Sequence, residues 1–428
     1  MLQTLRNAWA TKDLRNKIVF TAVILLLYRF GAMLPVPFLS PEFVNLLDSA
    51  ANGSLFQYFN ILSGSAFSQA TLFALSVSPY ITAQIVVQLL TFAIPALERI
   101  AKEEDGQKKI KSWTRIGTVI LGAITAFGYT RILKSYNALA DGSNVFTEII
   151  MVICFVAGSA LVMWLAEKID EFGIGNGVSM ILFANIISSV PQSVSAIVAV
   201  EGRAIWLTIL YAVITIVVGV AAVTFVVWMT NAERRLPVQY AKKVVGRKMY
   251  GGQATNLPLK LNMTGVMPII FASSIVSIPA TLAIMFPPKE GSFWAGVVNF
   301  FSHDSIVYAI LTFIMIIAFS YFYVSISFNP VEVANNLKKN GGFILGIRPG
   351  KPTADFIKRV LNKLTLIGAL FLSVIAVLPL IVNIIAGGTL GGIAFGGSSL
   401  LIVVGVALET YRELESQLTM RHYKGFLE

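Results

Sequence analysis

The chain has 428 residues, of which 56% are hydrophobic and only 13% are charged, and its mean hydropathy is +0.75. A water-soluble protein of this size cannot bury that much apolar side chain in its core, so lipid must be its main solvent. The formal net charge of +11 is typical of loops that face an anionic membrane surface, and it does not indicate a nucleic-acid site.

The first predicted element is a transmembrane helix over 18–34, which follows a polar, cationic N-terminal segment. It resembles the apolar part of a signal sequence but lacks a small-residue cleavage site, so we expect it to be retained. Nine further apolar stretches follow between charged or Gly/Pro-rich breaks, and we interpret each as a membrane span. They cover 72–95, 116–134, 148–167, 177–197, 205–229, 264–286, 305–327, 362–384 and 397–411.

The segment 53–68, between the first two spans, is apolar but too short to cross the membrane. Two interpretations stay open from the residues alone. The segment either lies on the membrane surface or folds back into the membrane, which requires protein or a water-filled cavity around it.

The second span carries Val77, Ile81, Gln84 and Gln88 at steps of four, three and four, which place them on one helix face. Aliphatic side chains followed by amides would suit a dry constriction below a wet cytoplasmic vestibule. The alternative is that both amides hydrogen-bond a neighbouring helix, as is common in bundles.

Two long basic loops, 230–263 and 328–361, are rich in glycine and proline. The first predicts two short strands joined by a glycine-containing turn, and the second has glycine and proline on both sides of Arg348. Both patterns favour a projecting hairpin that displays cations. The alternative is an ordinary cytoplasmic loop of the kind that carries positive charge.

Prolines interrupt two of the spans, at Pro79 in the second and at Pro268 and Pro279 in the seventh, and they permit bends there. The seventh span also carries Ser273 and Ser274 among small residues. Such helices can pack closely and separate without exposing a charge, although the same residues suit a static interface.

The orientation follows from the distribution of Lys and Arg. With the N-terminus inside, the inner segments hold 28 of these 33 residues, the outer segments hold four, and Arg29 lies within the first span. An even number of spans with both termini in the cytoplasm is therefore predicted.

Residues that would carry catalysis are scarce in this sequence. The single cysteine, Cys154, lies in an apolar run, and His303 and His422 are far apart, so we expect neither a disulfide nor a metal site. We find no phosphate-binding glycine loop, HExxH, GxSxG or CxxC. Ion-driven carriers usually place ionisable groups within the membrane, and here Arg29 is the only clear example. We therefore predict no enzyme activity and no cofactor.

Six segments carry a resemblance that covers the whole chain. They are SPYITAQIVVQLL at 78–90, GIGNGVSMILFANI at 173–186, NAERRLPVQYAKK at 231–243, NMTGVMPIIFASSI at 262–275, FNPVEVANNLKKNGGFILGIRPG at 328–350 and GGSSLLIVV at 396–404. In this order they resemble the SecY family, the pore subunit of the bacterial protein-conducting channel. The resemblance implies an all-α integral membrane protein with ten transmembrane helices in two pseudo-symmetric five-helix halves, 1–200 and 201–428, around an hourglass pore.

The resemblance also implies roles for individual residues. The aliphatic ring that closes the pore, here called the ring residues, comprises Val77, Ile81, Leu182, Ile186, Ile270 and Ile402. A plug over about 54–68 in the outer funnel comprises the plug residues Leu55, Phe56, Phe59, Ile61 and Leu62. A lateral gate between spans two and seven comprises the gate residues Gln84, Gln88, Ser273, Ser274 and Pro279. The docking residues for cytoplasmic partners are Arg348, Arg234, Arg235, Lys242 and Lys243.

The expected partners follow from the same resemblance. They are the small membrane subunits SecE and SecG, the motor ATPase SecA, the ribosome, signal peptides, nascent chains and membrane lipid. The expected location is the cytoplasmic membrane of a bacterium. Two alternatives from other classes are a small-solute secondary transporter, against which the nearly charge-free interior counts, and a structural scaffold.

Overall fold

The computed structural model describes residues 2–40, 60, 63–103, 105–135, 138–139, 144–198, 205–240, 243–245, 248–250, 254–285, 292–301, 305–385 and 396–424. The helices up to residue 231 are α1 Leu2–Ala10, α2 Lys12–Gly31, α3 Ser78–Ala93, α4 Pro95–Lys102, α5 Gly106–Ser135, α6 Val145–Phe172, α7 Gly177–Val198 and α8 Ile205–Asn231. The strands are β1 Glu233–Tyr240, β2 Lys243–Val245, β3 Lys248–Tyr250, β4 Ala254–Lys260 and β5 Gly342–Ile344. The later helices are α9 Met267–Val276, α10 Ile278–Met285, α11 Phe293–Phe300, α12 Ile306–Ser327, α13 Pro330–Lys339, α14 Lys351–Ile385 and α15 Gly396–Lys424.

The prediction of an all-α membrane protein is confirmed, because helices lie at the predicted apolar spans. Four helical stretches in the described chain are long and apolar enough to cross a bilayer: α5, α6, α14 and the stretch Ile306–Lys339. The pair α3 and α4 would be a fifth span, but it bends by 108° at Ile94. The count of ten crossing helices stays a prediction.

The seventh predicted span is two helices rather than one. Helix α9 ends before Ser277 and α10 starts immediately after it. Pro279 has no N–H for the carbonyl of Ile275, and a proline ring clashes with the carbonyl four residues earlier, so the ladder of hydrogen bonds breaks there. Pro268 lies in the first turn of α9, where a helix tolerates proline.

The first basic loop contains the predicted strand hairpin. Strand β1 pairs antiparallel with β4, for example Leu236 with Leu257, and β5 adds to the other edge of β1. Leu236 and Val238 are buried against Ile357 of α14, which fixes the sheet to the helical body. The hairpin predicted for the second loop is wrong. Because 330–339 is helical and α14 already begins at Lys351, that loop contributes only the single strand β5.

The largest apolar core joins helices from both ends of the chain, including α2, α3, α6 and α7 with α9, α12, α14 and α15. The C-terminal part of α15 binds the N-terminal part of the chain directly. Lys17 donates to Gln417 at 3.2 Å, and the backbone N–H of Gly175 donates to Glu413 at 2.8 Å. Thr4 and Tyr411 are hydrogen-bonded at 3.0 Å.

Candidate functional site

The structure brings all six ring residues into one apolar cluster. Each is between 1% and 4% exposed, although they come from four separate parts of the chain. Val77 immediately precedes α3, and Ile81 follows one turn later. Leu182 and Ile186 are one turn apart on α7.

The remaining two ring residues come from the C-terminal part. Ile270 lies in the first turn of α9, and Ile402 lies about two turns into α15. Helices α3 and α9 pack directly against each other, as do α7 and α15. The ring residues therefore lie at a junction of these four helices, inside the larger apolar core that other helices share, and their aliphatic side chains exclude water and offer no group that binds an ion.

A small group of polar side chains lies directly behind this junction. Asn185, between Leu182 and Ile186 on α7, donates through Nδ2 to the hydroxyl of Ser76 at 3.2 Å. That hydroxyl is also 3.4 Å from the hydroxyl of Tyr28 on α2. All three residues are at most 2% exposed. The sequence analysis missed them, although an asparagine in the middle of an apolar span is costly unless bonded and was a signal for such a site.

The five plug residues lie outside the described residues. Of the predicted plug segment the structure describes Asn60 and 63–68. This part is held by hydrogen bonds from two helices: Arg29 of α2 donates to the carbonyl of Gly64 at 3.3 Å, and the Tyr129 hydroxyl of α5 donates to the carbonyl of Phe67. Arg29, the one ionisable residue predicted within a span, therefore faces protein at this point.

Four of the five gate residues lie on the two helices that meet, α3 and α9, whereas Pro279 lies on α10. Gln84, Gln88, Ser273, Ser274 and Pro279 are all partly buried. Ser274 donates only to the carbonyl of Ile270 within its own helix, at 2.8 Å. Neither Gln84 nor Gln88 has a hydrogen-bond partner among the described residues, so the alternative interpretation, in which both amides bond a neighbouring helix, finds no support there. Near the end of α3, Phe92 contacts Phe322 of α12 edge to face, with ring centroids 5.3 Å apart.

The start of α9 is anchored by a carboxylate of α15, which the sequence analysis did not single out. Glu409 of α15 accepts the backbone N–H of Val266, the residue before α9. Gly265 has a φ of +62°, and a Cβ added to it would lie 1.7 Å from Oε1 of Glu409. Arg412, one turn beyond Glu409, donates to the carbonyl of Thr230 at 2.8 Å at the end of α8.

The docking residues are spread over the sheet and the following turn. Arg234 and Arg235 on β1 and Arg348 after β5 are exposed, and Arg235 forms an ion pair with Glu233 at 2.7 Å. Lys243 belongs to β2, whereas Lys242 lies outside the described residues. Nearby, burial and then the charge of Arg412 lower the pKa of Lys260 on β4.

The described residues contain no group of three His, Cys, Asp or Glu side chains that could hold a metal ion. An ion pair joins Arg115 near the start of α5 to Glu167 near the end of α6 at 2.8 Å. It borders a cavity of about 560 Å³ that Tyr80 also lines. None of these features brings a nucleophile and a base together.

Comparison of the sequence with known families and with individual known proteins identifies the same family each time. The SecY family model matches residues 71–411. The protein translocase subunit SecY of Mycobacterium tuberculosis is 42% identical over 448 aligned positions, which cover 100% of both chains.

Two solved structures share the fold at low sequence identity. One, described as the structure of a protein conducting channel, has a TM-score of 0.65 and 19% identity, and the match covers 94% of this chain and 92% of the other. The other is Sec61 in the canine ribosome-channel complex from the endoplasmic reticulum, with a TM-score of 0.61, 18% identity and the same coverage of both chains.

Proposed function

The chain belongs to the SecY family and is the pore subunit of a protein-translocation channel, and we propose that unfolded polypeptide crosses the bacterial cytoplasmic membrane between its two halves, 1–200 and 201–428. The observation that carries the proposal is the burial of six ring residues from four helices in one apolar cluster. These residues form the collar through which the polypeptide passes.

A protein-translocation channel must prevent ion leakage when closed and must let polypeptide pass without binding it, and a collar of branched aliphatic side chains meets both requirements. It excludes water when closed, because a narrow apolar constriction dewets, and ions therefore do not leak. It also binds no passing side chain tightly, because it offers no charge or hydrogen-bond partner. A charged ring would fail at both tasks.

The plug and the gate complete the proposed mechanism. The segment 54–68 occupies the outer funnel at rest, supported by the contacts of Arg29 and Tyr129 with its described end. The seam between α3 and α9 opens toward lipid and releases membrane segments sideways. Three observations support a seam that can part: the direct packing of these two helices, the break at Ser277, and the lack of a hydrogen-bond partner for Gln84 and Gln88 within the described part of the chain.

Cytoplasmic partners supply the energy in this proposal, because the sequence has no nucleotide site of its own. SecA and the ribosome would dock on the exposed arginines of the sheet and of the turn at Arg348. The canine Sec61 structure described as a ribosome-channel complex supports a ribosome partner. SecE and SecG would accompany the subunit in the membrane, and the excess of Lys and Arg in alternate segments supports cytoplasmic termini. Signal peptides and nascent chains are the proposed substrates.

The small-solute transporter alternative finds no support. The SecY subunit of Mycobacterium tuberculosis, a relative that matches the whole chain, is a translocase subunit, and the six ring residues offer aliphatic groups instead of a polar binding site. A carrier would need groups that coordinate its solute near the bilayer midplane.

The test of the collar is the substitution Ile402→Asn in the assembled channel, reconstituted in a planar lipid bilayer. An amide in the collar would hold water there, so we expect a higher resting ion conductance than in the unsubstituted channel. Ile402→Val is the matched control, because it keeps a branched apolar side chain and should keep the seal. Equal resting conductance of the Asn and Val variants would refute the assignment of the collar.

A further inference from the structure

The segment that leads into α3 has a strained backbone next to the collar. Ser76 has a φ of +50°, a left-handed conformation that residues with a Cβ rarely adopt. It directly precedes the ring residue Val77, so its conformation sets the direction in which α3 and Val77 leave the turn. Such strain persists only where the surroundings hold it.

Two helices hold this turn through side chains. The amide of Asn185 donates to the Ser76 hydroxyl at 3.2 Å, and the hydroxyl of Tyr28 lies 3.4 Å away from it. The ring of Tyr28 is itself fixed by stacking on Phe73, with centroids 5.4 Å apart and planes 4° from parallel. Because these groups are buried, water cannot replace a lost partner.

The same asparagine also borders the described end of the plug. A Cβ added to Gly64 would lie 2.9 Å from Oδ1 of Asn185, 2.9 Å from the Ser188 hydroxyl and 2.6 Å from Nη1 of Arg29. Gly64 has a φ of +63°, and its carbonyl accepts from Arg29 at 3.3 Å. The Asn185 amide therefore lies between the plug end on one side and the turn before Val77 on the other.

We propose that Asn185 is a positioning residue that couples the plug end to the collar. While Gly64 is seated, the amide is confined and its Nδ2 holds Ser76 in the strained turn that points Val77 into the collar. When the plug end moves away, the amide gains room to rotate, Ser76 relaxes and Val77 withdraws. The inference rests on the proposed function, since it gives a route by which displacement of the plug opens the collar.

The first measurement is the resting conductance of the assembled channel with Asn185→Ala, in the planar bilayers used for Ile402→Asn. Loss of one buried hydrogen bond should raise the resting conductance about fivefold to tenfold. Ser76→Ala, which leaves α7 unaltered, should raise it by at least that factor, because it also removes the contact with the Tyr28 hydroxyl. The double variant should leak no more than Ser76→Ala alone, because that variant already removes the hydrogen bond with Asn185.

Ser179→Ala is the matched control. It removes a buried serine hydroxyl from the same helix, and within the described part of the chain that hydroxyl has no hydrogen-bond partner. Its conductance should equal that of the unsubstituted channel.

A merely structural effect of Asn185→Ala would lower thermal stability without changing the collar. A second readout therefore follows Val77→Cys in a Cys154→Ala background, which should react with an impermeant thiol reagent in the resting channel only when Asn185 is alanine.

The outcomes separate this inference from the proposed function. If Ile402→Asn leaks while Asn185→Ala and Ser76→Ala seal like the unsubstituted channel, the coupling is wrong and the collar stands. Conductance increases that multiply in the double variant would also overturn the coupling, since they would show independent action. If Ile402→Asn itself does not leak, the collar assignment fails and the coupling fails with it.

Discussion

Replacing Gly265 by alanine should break the anchor of α9. The residue has a φ of +62°, and a Cβ there would lie 1.7 Å from Oε1 of Glu409, far inside any allowed contact. The carboxylate must therefore move away from the backbone N–H of Val266, which it now accepts. It would also leave the N-terminal end of α9, where the helix dipole favours negative charge.

The expected loss of stability has two parts. A left-handed backbone costs an alanine about 1–2 kcal/mol, and a hydrogen bond to a charged group is worth about 1.5–3 kcal/mol. We expect the free energy of unfolding to fall by about 2.5–5 kcal/mol if both effects operate in full. Thermal unfolding of the purified channel in detergent, followed by tryptophan fluorescence, measures the change, and translocation into vesicles shows whether the loosened α9 still works.

Gly219→Ala in α8 is the control for this experiment, because a Cβ there meets nothing within 4 Å. It should be neutral or stabilise the helix by up to about 1 kcal/mol. Combining Gly265→Ala with Glu409→Ala removes the clash, so the double variant should lose less stability than the two single losses together. Native-like melting of Gly265→Ala, or strict additivity in the double variant, would show that Glu409 does not anchor α9.

Three further predictions address the gate, the docking surface and the plug. With Cys154 replaced by alanine, a disulfide between Gln84→Cys and Ser274→Cys should block translocation until it is reduced, and normal transport by the oxidised form would refute the gate. Arg348→Glu should impair transport driven by SecA or the ribosome while the channel still inserts into the membrane, and retained partner binding in a co-sedimentation assay would make Arg348 an ordinary loop cation. Gly64→Ala should raise the resting conductance, because its Cβ would lie 2.6 Å from Nη1 of Arg29 and displace the plug end. An unchanged conductance would show that the contact of Gly64 with Arg29 does not hold the plug end in place.

The positions of the membrane helices could be predicted from the sequence because the conditions that lipid imposes on a span depend only on the local sequence. A span needs about 20 apolar residues with its backbone hydrogen bonds satisfied internally, and both conditions are local. The spans predicted at 177–197 and 305–327 end within one residue of α7 and α12. The strands β1 and β4 were also predictable, because hairpin signals lie close together in the chain.

Prediction from the local sequence pattern failed where contacts with other parts of the chain determine the backbone conformation. The second predicted span begins at 72, but α3 begins only at Ser78, because residues 72–77 form turns that include the strained Ser76. The bend between α3 and α4 falls just before Pro95, a helix boundary that proline favours. The length of α14 was underestimated, since its first turns are polar and pack on the sheet outside the apolar span.

The sequence by itself determined that the protein is embedded in lipid and which stretches form helices. Through the resemblance to the SecY family, it also indicated which aliphatic residues to examine. Only the tertiary structure decided which side chains meet. Asn185 bonds Ser76 and Glu409 bonds Val266, over separations of more than a hundred residues. The periodicity of the sequence does not reveal such pairs. A buried polar group needs a hydrogen-bond partner at one defined position, whereas an apolar group is satisfied by contact with any other apolar group.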